Sequence, residues 1–259
     1  MGELRIPLDP LNPAQFLACC GLFEAVNWDA PEALLRFEAD PATPRRAAAV
    51  ITGSGLPDLR GVLQAARDAA ADFSEYEETV EKSVRPARLR MGTRELVLDW
   101  WLDEFYERTT NLKCWAGQVT TQKLFDELPP QISVETPPEE LFSASTLTKS
   151  KFGMDPRSAW NALDFGFSPN EQGKDSKTYP IVEVLGAIGL QGFRLDARRR
   201  EGIRYFLWSE PMPLLVARTA AVAAWDGLPR CRYEFDIAKR GQSYKYFTLA
   251  RFAERKSYY

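Results

Sequence analysis

Between Thr148 and Thr178 the chain reads TKSKFGMDPRSAWNALDFGFSPNEQGKDSKT, a segment rich in the residue types that meet nucleic acid. Lys149, Lys151 and Arg157 suit backbone phosphates, and the amides of Asn161, Asn170 and Gln172 suit base edges. Phe152, Trp160, Phe165 and Phe167 offer faces on which bases stack. A second group of this kind lies further on: Lys239, Arg240 and Gln242, with Tyr244, Lys245 and Tyr246. Gly241 in its middle lets a tight turn approach a backbone closely. Both groups also have a plainer reading. The first fits a surface loop around one buried helix, with asparagines that cap turns. The second fits an exposed hairpin whose basic tip keeps a strand edge soluble.

Enzymatic chemistry is narrowed by what is missing. The chain has no histidine, which removes His general bases, Ser-His-Asp and Cys-His nucleophiles and His-dependent nuclease centres. Cys19, Cys20, Cys114 and Cys231 contain no C-x-x-C pair, and a zinc site would need all four from three remote places. Buried free thiols are the expectation. Carboxylates alone remain for metal chemistry: Asp99 with Asp103, or Glu135 with Glu139 and Glu140. Neither set has a diagnostic spacing, and ion pairs explain both as well. The chain is therefore expected to be non-catalytic, with no metal and no cofactor.

Net charge is −3, but it is unevenly spread. Residues 1–82 carry 7 basic and 14 acidic side chains, whereas residues 194–259 carry 14 and 7. A polynucleotide-facing C-terminal part and an acidic N-terminal part follow from that asymmetry. No apolar run approaches the ~20 residues that span a bilayer. The short run Leu17–Val26 lacks a basic leader and contains Glu24, so no secretion signal and a cytoplasmic location are expected.

The elements that must position these residues alternate between helix and strand. A strand at Leu4–Leu8 precedes a helix capped by Asn12 with Pro13 at its first position. That helix is apolar nearly all round, so it is buried. A strand at Leu34–Phe37 and an amphipathic helix at Leu59–Ala71 follow. Strands are expected at Arg85–Arg90 and Arg94–Leu102, where Arg85, Arg88, Arg90 and Arg94 make either a basic ribbon edge or a solvated face. A helix runs from about Gln118 to Leu128 and stops at Pro129-Pro130. PPQISVETPP, Pro129–Pro138, is the best boundary, dividing 1–130 from 131–259 unless the two form one continuous domain; Ile132 and Val134 suit a short strand there. Asp155 caps a helix at Pro156–Leu163 with Trp160 and Leu163 inward and Arg157 and Asn161 outward. An apolar, Gly-containing helix spans Tyr179–Leu190. Strands then follow at Ile203–Trp208, Pro213–Ala217, Arg232–Ile237 and Tyr244–Arg251, the last two joined through Lys239–Gln242. Arg198-Arg199-Arg200 is a solvated charge run. The pattern is α+β, mostly antiparallel sheets with packed helices.

Five phrases carry a family resemblance. FGMDPRSAWNALDFGFSPNEQ (Phe152–Gln172) and YPIVEVLGAIGLQGFR (Tyr179–Arg194) are the strongest. LDPLNPAQFLACCGLFEAV (Leu8–Val26), LDWWLDEF with LKCWAGQ (Leu98–Gln118), and GQSYKYFTLARF (Gly241–Phe252) extend it over most of the chain. Together they resemble the short large-subunit proteins of type I-G, formerly type I-U, CRISPR-associated interference complexes. The resemblance implies a Cascade-type surveillance complex, in which guide RNA pairs with target double-stranded DNA. It also implies contact with the guide 5′ region, reading of a protospacer-adjacent motif, and partners among the backbone and guide-end subunits and a helicase-nuclease. A ferredoxin-like (RRM-like) core is common among CRISPR subunits and is an expectation by analogy. A protein-bridging scaffold that never touches bases, and a His-free carboxylate-metal enzyme outside CRISPR, are the alternative readings. The phrases name a family better than a chemistry: they identify no motif-reading residue.

Overall fold

The computed structural model describes residues 1–39, 43, 45–76, 78, 80–115, 119–159, 176–196, 202–222, 230–240 and 244–256. Strand β1 (Gly2–Leu8) turns Ile6 and Leu8 inward and leaves Arg5 and Pro7 outside. It leads into helix α1 (Pro13–Asp29), whose start follows directly from sequence. Asn12 Oδ1 accepts from the Ala14 and Gln15 amides at 3.1 and 3.4 Å, and Pro13 takes the first position, where no N–H is needed. Strands β2 (Leu34–Ala39) and β3 (Ala47–Gly53), helix α2 (Leu59–Arg67), and strands β4 (Ala70–Asp72), β5 (Ala87–Met91) and β6 (Arg94–Leu98) follow. Helix α3 (Thr121–Glu127) is capped by the Thr120 hydroxyl on the Lys123 amide and gives way to a 3₁₀ turn at Pro129–Gln131. Strand β7 (Thr146–Thr148) and β8 (Ser176–Thr178) flank the polar segment, and helix α4 (Pro180–Gly192) succeeds it. Strands β9 (Ile203–Trp208) and β10 (Met212–Pro213), helix α5 (Leu214–Ala221), and strands β11 (Arg230–Phe235), β12 (Ile237–Arg240), β13 (Tyr244–Phe247) and β14 (Arg251–Lys256) complete the order.

All strand pairings among the described residues are antiparallel, and the fold is α+β. The largest sheet has the order β1-β3-β2-β10. Its β1-α1-β2 crossover with β3 inserted between the two strands is the split unit from which a ferredoxin-like core begins. The fourth strand departs from that plan: β10 joins at β2, and the outer edge of β1 lies against the 3₁₀ turn Pro138–Glu140. Smaller sheets are β14-β11-β9, β4-β5-β6 and the pairs β12-β13 and β7-β8.

Helices α1 and α4 cross with their backbones nearly touching. A Cβ on Gly21 would lie 1.9 Å from the Leu185 carbonyl oxygen, and one on Gly189 would lie 2.0 Å from that of Leu17. Only glycine permits such an approach. Arg218 on α5 adds a two-pronged bond to the buried Glu24 on α1, at 2.7 Å for each prong. Tyr205 on β9 donates its hydroxyl to the Pro10 carbonyl, and Trp208 donates its indole N–H to that of Leu35 at 2.9 Å. Residues on both sides of Pro129–Pro138 thus join one buried cluster. No helix among the described residues is long and apolar enough to cross a membrane.

Several local expectations are revised. Pro213–Ala217 is not a strand: only Met212–Pro213 pair with β2, and Leu214 opens helix α5, which buries Ala217, Ala220 and Ala221. Its Leu- and Ala-rich composition favours helix despite Val216. Ile132 and Val134 do not form a strand; Ile132 is buried at the end of the 3₁₀ turn. Of the helix expected at Pro156–Leu163, the described part is a 3₁₀ turn, Pro156–Ser158, capped by Asp155, with Ala159 extended; residues 160–163 lie outside the described residues. Three of the four arginines of the expected ribbon are engaged within the chain, while Arg90 is exposed. Arg88 pairs with Glu75 and Glu95, Arg85 donates to the Val80 carbonyl, and Arg94 to that of Trp28. All four cysteines are buried and free.

Candidate nucleic-acid interface

The segment Lys149–Ala159 is where the five sequence phrases meet. Its centre is bound by a carboxylate on the otherwise apolar helix α4. Glu183 is fully buried and accepts from the Gly153 amide at 3.0 Å and the Asp155 amide at 3.1 Å. Asp155, also fully buried, accepts from Asn12 Nδ2 at 3.0 Å, so the residue that caps α1 also holds this loop. Arg157 closes on the same carboxylate through Nε at 3.0 Å and Nη2 at 2.5 Å, and its guanidinium lies 3.6 Å from the centre of the Tyr179 ring.

Aromatic packing fixes the other side of the loop. Phe152 sits against Trp100, Trp115 and Phe125, with ring centres 5.5–6.1 Å apart. Trp115 is buried and donates its indole N–H to the Ser83 carbonyl at 3.1 Å, so it is a core residue rather than a stacking platform. Gly153 then makes the close turn. Its φ is +84°, and a Cβ there would come within 3.1 Å of Cys114 Cβ. Strand β13 passes alongside: the Lys245 amide reaches the Cys114 carbonyl and the Phe247 amide the Gly153 carbonyl, each at 3.4 Å.

This arrangement changes the expected roles of two cations. Lys151 is not a surface residue. It is buried, with its Nζ on the Ser158 carbonyl, and the charges of Glu183 and Asp155 lie nearby. Burial pushes the Glu183 carboxyl up to about 7 and the Lys151 ammonium down to about 8, each opposed by the other's charge. Arg157 spends its fork on Asp155 rather than pointing freely outward, and 31% of its side chain remains exposed. Lys149 keeps an exposed side chain, while its amide is held by Glu127 at 2.6 Å. Asn161, Asn170, Gln172 and Gln242 lie outside the described residues, as do Trp160, Leu163, Gly241 and Arg198–Arg200. Arg240 and Tyr244 are paired in the β12-β13 hairpin.

A second grouping forms beside the loop. Lys239 and Lys245 stand directly opposite each other across β12 and β13, a like-charge placement that destabilises a strand pair. They line a small cavity of about 40 Å³ with Asn111 and Ile237. Lys113 approaches from the LKCWAGQ phrase, with its Nζ 3.0 Å from the Trp115 carbonyl. Its half-burial and then the charge of Lys245 push its ammonium below the usual lysine range, with Glu81 acting in the opposite direction. Among the described residues none of these three lysines makes an ion pair. Lys239 and Lys245 thus share a cavity wall with the Asn111 amide, and Lys113 lies close enough to Lys245 to feel its charge.

Glu183, Asn12 and the placement of Asn111 and Lys113 beside the hairpin are the parts that sequence reasoning missed. Glu183 had a signal, since one carboxylate in YPIVEVLGAIGL must find partners once buried. Among the described residues no group of three or more His, Cys, Asp or Glu is placed to hold a metal. Asp99 is instead bonded to Tyr106, Gln191 and Arg194, and Glu135 pairs with Arg60. No protein-family model, curated protein or solved structure matches this chain.

Proposed function

We propose that this chain is a non-catalytic subunit of a type I-G CRISPR surveillance complex, the large subunit that contacts the guide RNA 5′ region and motif-bearing duplex DNA. The observation that carries the nucleic-acid role is the cross-strand pair Lys239 and Lys245 with Lys113 near Lys245, an arrangement of like charges that a phosphate backbone relieves. The resemblance supplies the complex; the lysines supply a surface. In this reading the ammonium groups position the polynucleotide without reading sequence, and Asn111 beside them is within the same cavity wall. Lys149 and Lys177 are exposed at the two ends of the polar segment.

The test is reconstitution of the complex from the neighbouring operon's proteins and guide RNA, followed by DNA binding with randomised flanking sequence. Omitting this chain is expected to preserve assembly and abolish flanking preference. Lys113→Ala, Lys239→Ala and Lys245→Ala together should weaken duplex binding across all sequences and lower the salt slope by about 1 for each phosphate no longer neutralised. Collapse of assembly on omission, with no flanking preference in the reconstituted complex, would instead make the chain a protein-bridging scaffold.

A further inference from the structure

The turn between Trp101 and Thr110 presents an aromatic ring to solvent on a backbone that resists moving. Phe105 is 72% exposed. Single exposed apolar residues are ordinary on soluble proteins; what distinguishes this one is its support. Tyr106, next in sequence, has a φ of +58°, a left-handed conformation that a tyrosine rarely takes. Its hydroxyl is bonded to Asp99 at 3.0 Å, and its ring meets that of Tyr76 edge-on at 5.7 Å. Asp99 is in turn held from α4 and the residues after it, by Gln191 at 2.9 Å and Arg194 at 2.6 Å. The turn is also tied internally. The Asp103 amide donates to the Arg108 carbonyl, the Glu107 amide to Asp103 Oδ1, and Leu102 pairs with Thr109. Strained backbone persists only where its surroundings over-determine it, and it clusters at functional positions.

The ground around the ring is acidic. Glu104 and Glu107 are exposed beside Phe105, Asp103 is half-buried, and Arg108 is the one cation within residues 103–108. Beyond Tyr76 the chain carries the exposed Glu78 and Glu81, with the exposed Lys82 next to them. Carboxylates so placed repel phosphates, which rules against insertion into nucleic acid. They suit a protein partner that surrounds an apolar pocket with lysines or arginines. We infer that Phe105, held out by this turn, is a docking knob for a basic protein surface. The inference is independent of the lysine surface and its nucleic-acid reading.

The experiment places a photo-crosslinking benzoylphenylalanine at position 105 of the whole chain in its native cells. The crosslinked protein is identified, purified and titrated against the wild type, Phe105→Ala and a Glu104→Lys/Glu107→Lys variant. The crosslink should map to an Arg- or Lys-rich segment of one protein. Both variants should bind that protein at least about tenfold more weakly, and the charge reversal should also flatten the salt dependence. Thermal stability of Phe105→Ala should be unchanged, and its nucleic-acid affinity intact. A crosslink to nucleic acid, no crosslink, or a partner whose affinity neither variant alters would overturn the inference.

Discussion

Lys151 and the Lys239–Lys245 pair lie on either side of Gly153, whose amide donates to Glu183 and whose carbonyl accepts from Phe247. On one side the charge is enclosed: Lys151 is buried among Ser158, Glu183 and Asp155, and each carboxylate also receives bonds from the backbone or from Asn12 and Arg157. On the other side two lysines stand at opposite positions of a strand pair, with Lys113 near one of them. The first arrangement holds a loop in place. The second works against the strand pair it decorates. Charge type alone does not separate them; the bonds around each charge do.

The largest expected effect comes from breaking the enclosed side. Glu183→Ala leaves the Gly153 and Asp155 amides without their acceptor and removes a counter-charge from Lys151. It should destabilise the protein by about 3–5 kcal/mol in urea unfolding. A decrease under about 1 kcal/mol would mean that aromatic packing of Phe152 alone fixes the loop.

The pH dependence is next. The Glu183 carboxyl, raised by burial from the ordinary 4.5 to about 7, makes the folded state hold a proton more tightly than the unfolded one between those values. Its contribution to stability therefore falls as pH rises through that interval. Comparison with Glu183→Gln should isolate this as a wild-type disadvantage that grows by roughly 2 kcal/mol from pH 4.5 to 7. Lys151 has the opposite sign in a different window: lowered to about 8, it adds stability as pH rises from there towards the ordinary 10.5.

The smallest effect sharpens the other side of the comparison. Lys239→Ala or Lys245→Ala should leave the fold intact and stabilise it by about 0.2–1 kcal/mol, through relief of like charges, while weakening polynucleotide binding. A change that destabilised the hairpin by as much would show that the pair supports the fold after all.

How much of this was legible depended on whether the signal was local. The Asn12-Pro13 start of α1 and the apolar run of α4 are written in neighbouring residues, and the structure has them. The hairpin expected between Arg232–Ile237 and Tyr244–Arg251 is shifted: Ile237–Arg240 pairs with Tyr244–Phe247, and Arg230–Phe235 pairs instead with β9 and β14. Strand β3 was not legible. AAAVITG shows no alternation because it lies between β1 and β2 and is covered on both faces. Within the candidate site, Lys239 and Lys245 could be singled out by type, but their cavity wall includes Asn111 from a distant phrase. Lys151 was misplaced because its partner Glu183 is 32 positions away, on a helix whose apolar pattern drew attention to everything but its one acid.

The contact between Gly21 and Gly189 has a consequence during synthesis on the ribosome. Helix α1 is buried along nearly its whole circumference, yet the helix that covers it is translated more than 150 residues later. At about 5–20 residues per second, α1 waits on the order of 10–30 s before α4 exists. Through that interval an apolar rod is exposed on an unfinished chain, so successful folding relies on delay, shielding or rapid completion. Nascent fragments ending before Pro180 should accordingly be the aggregation-prone and chaperone-bound species of this protein.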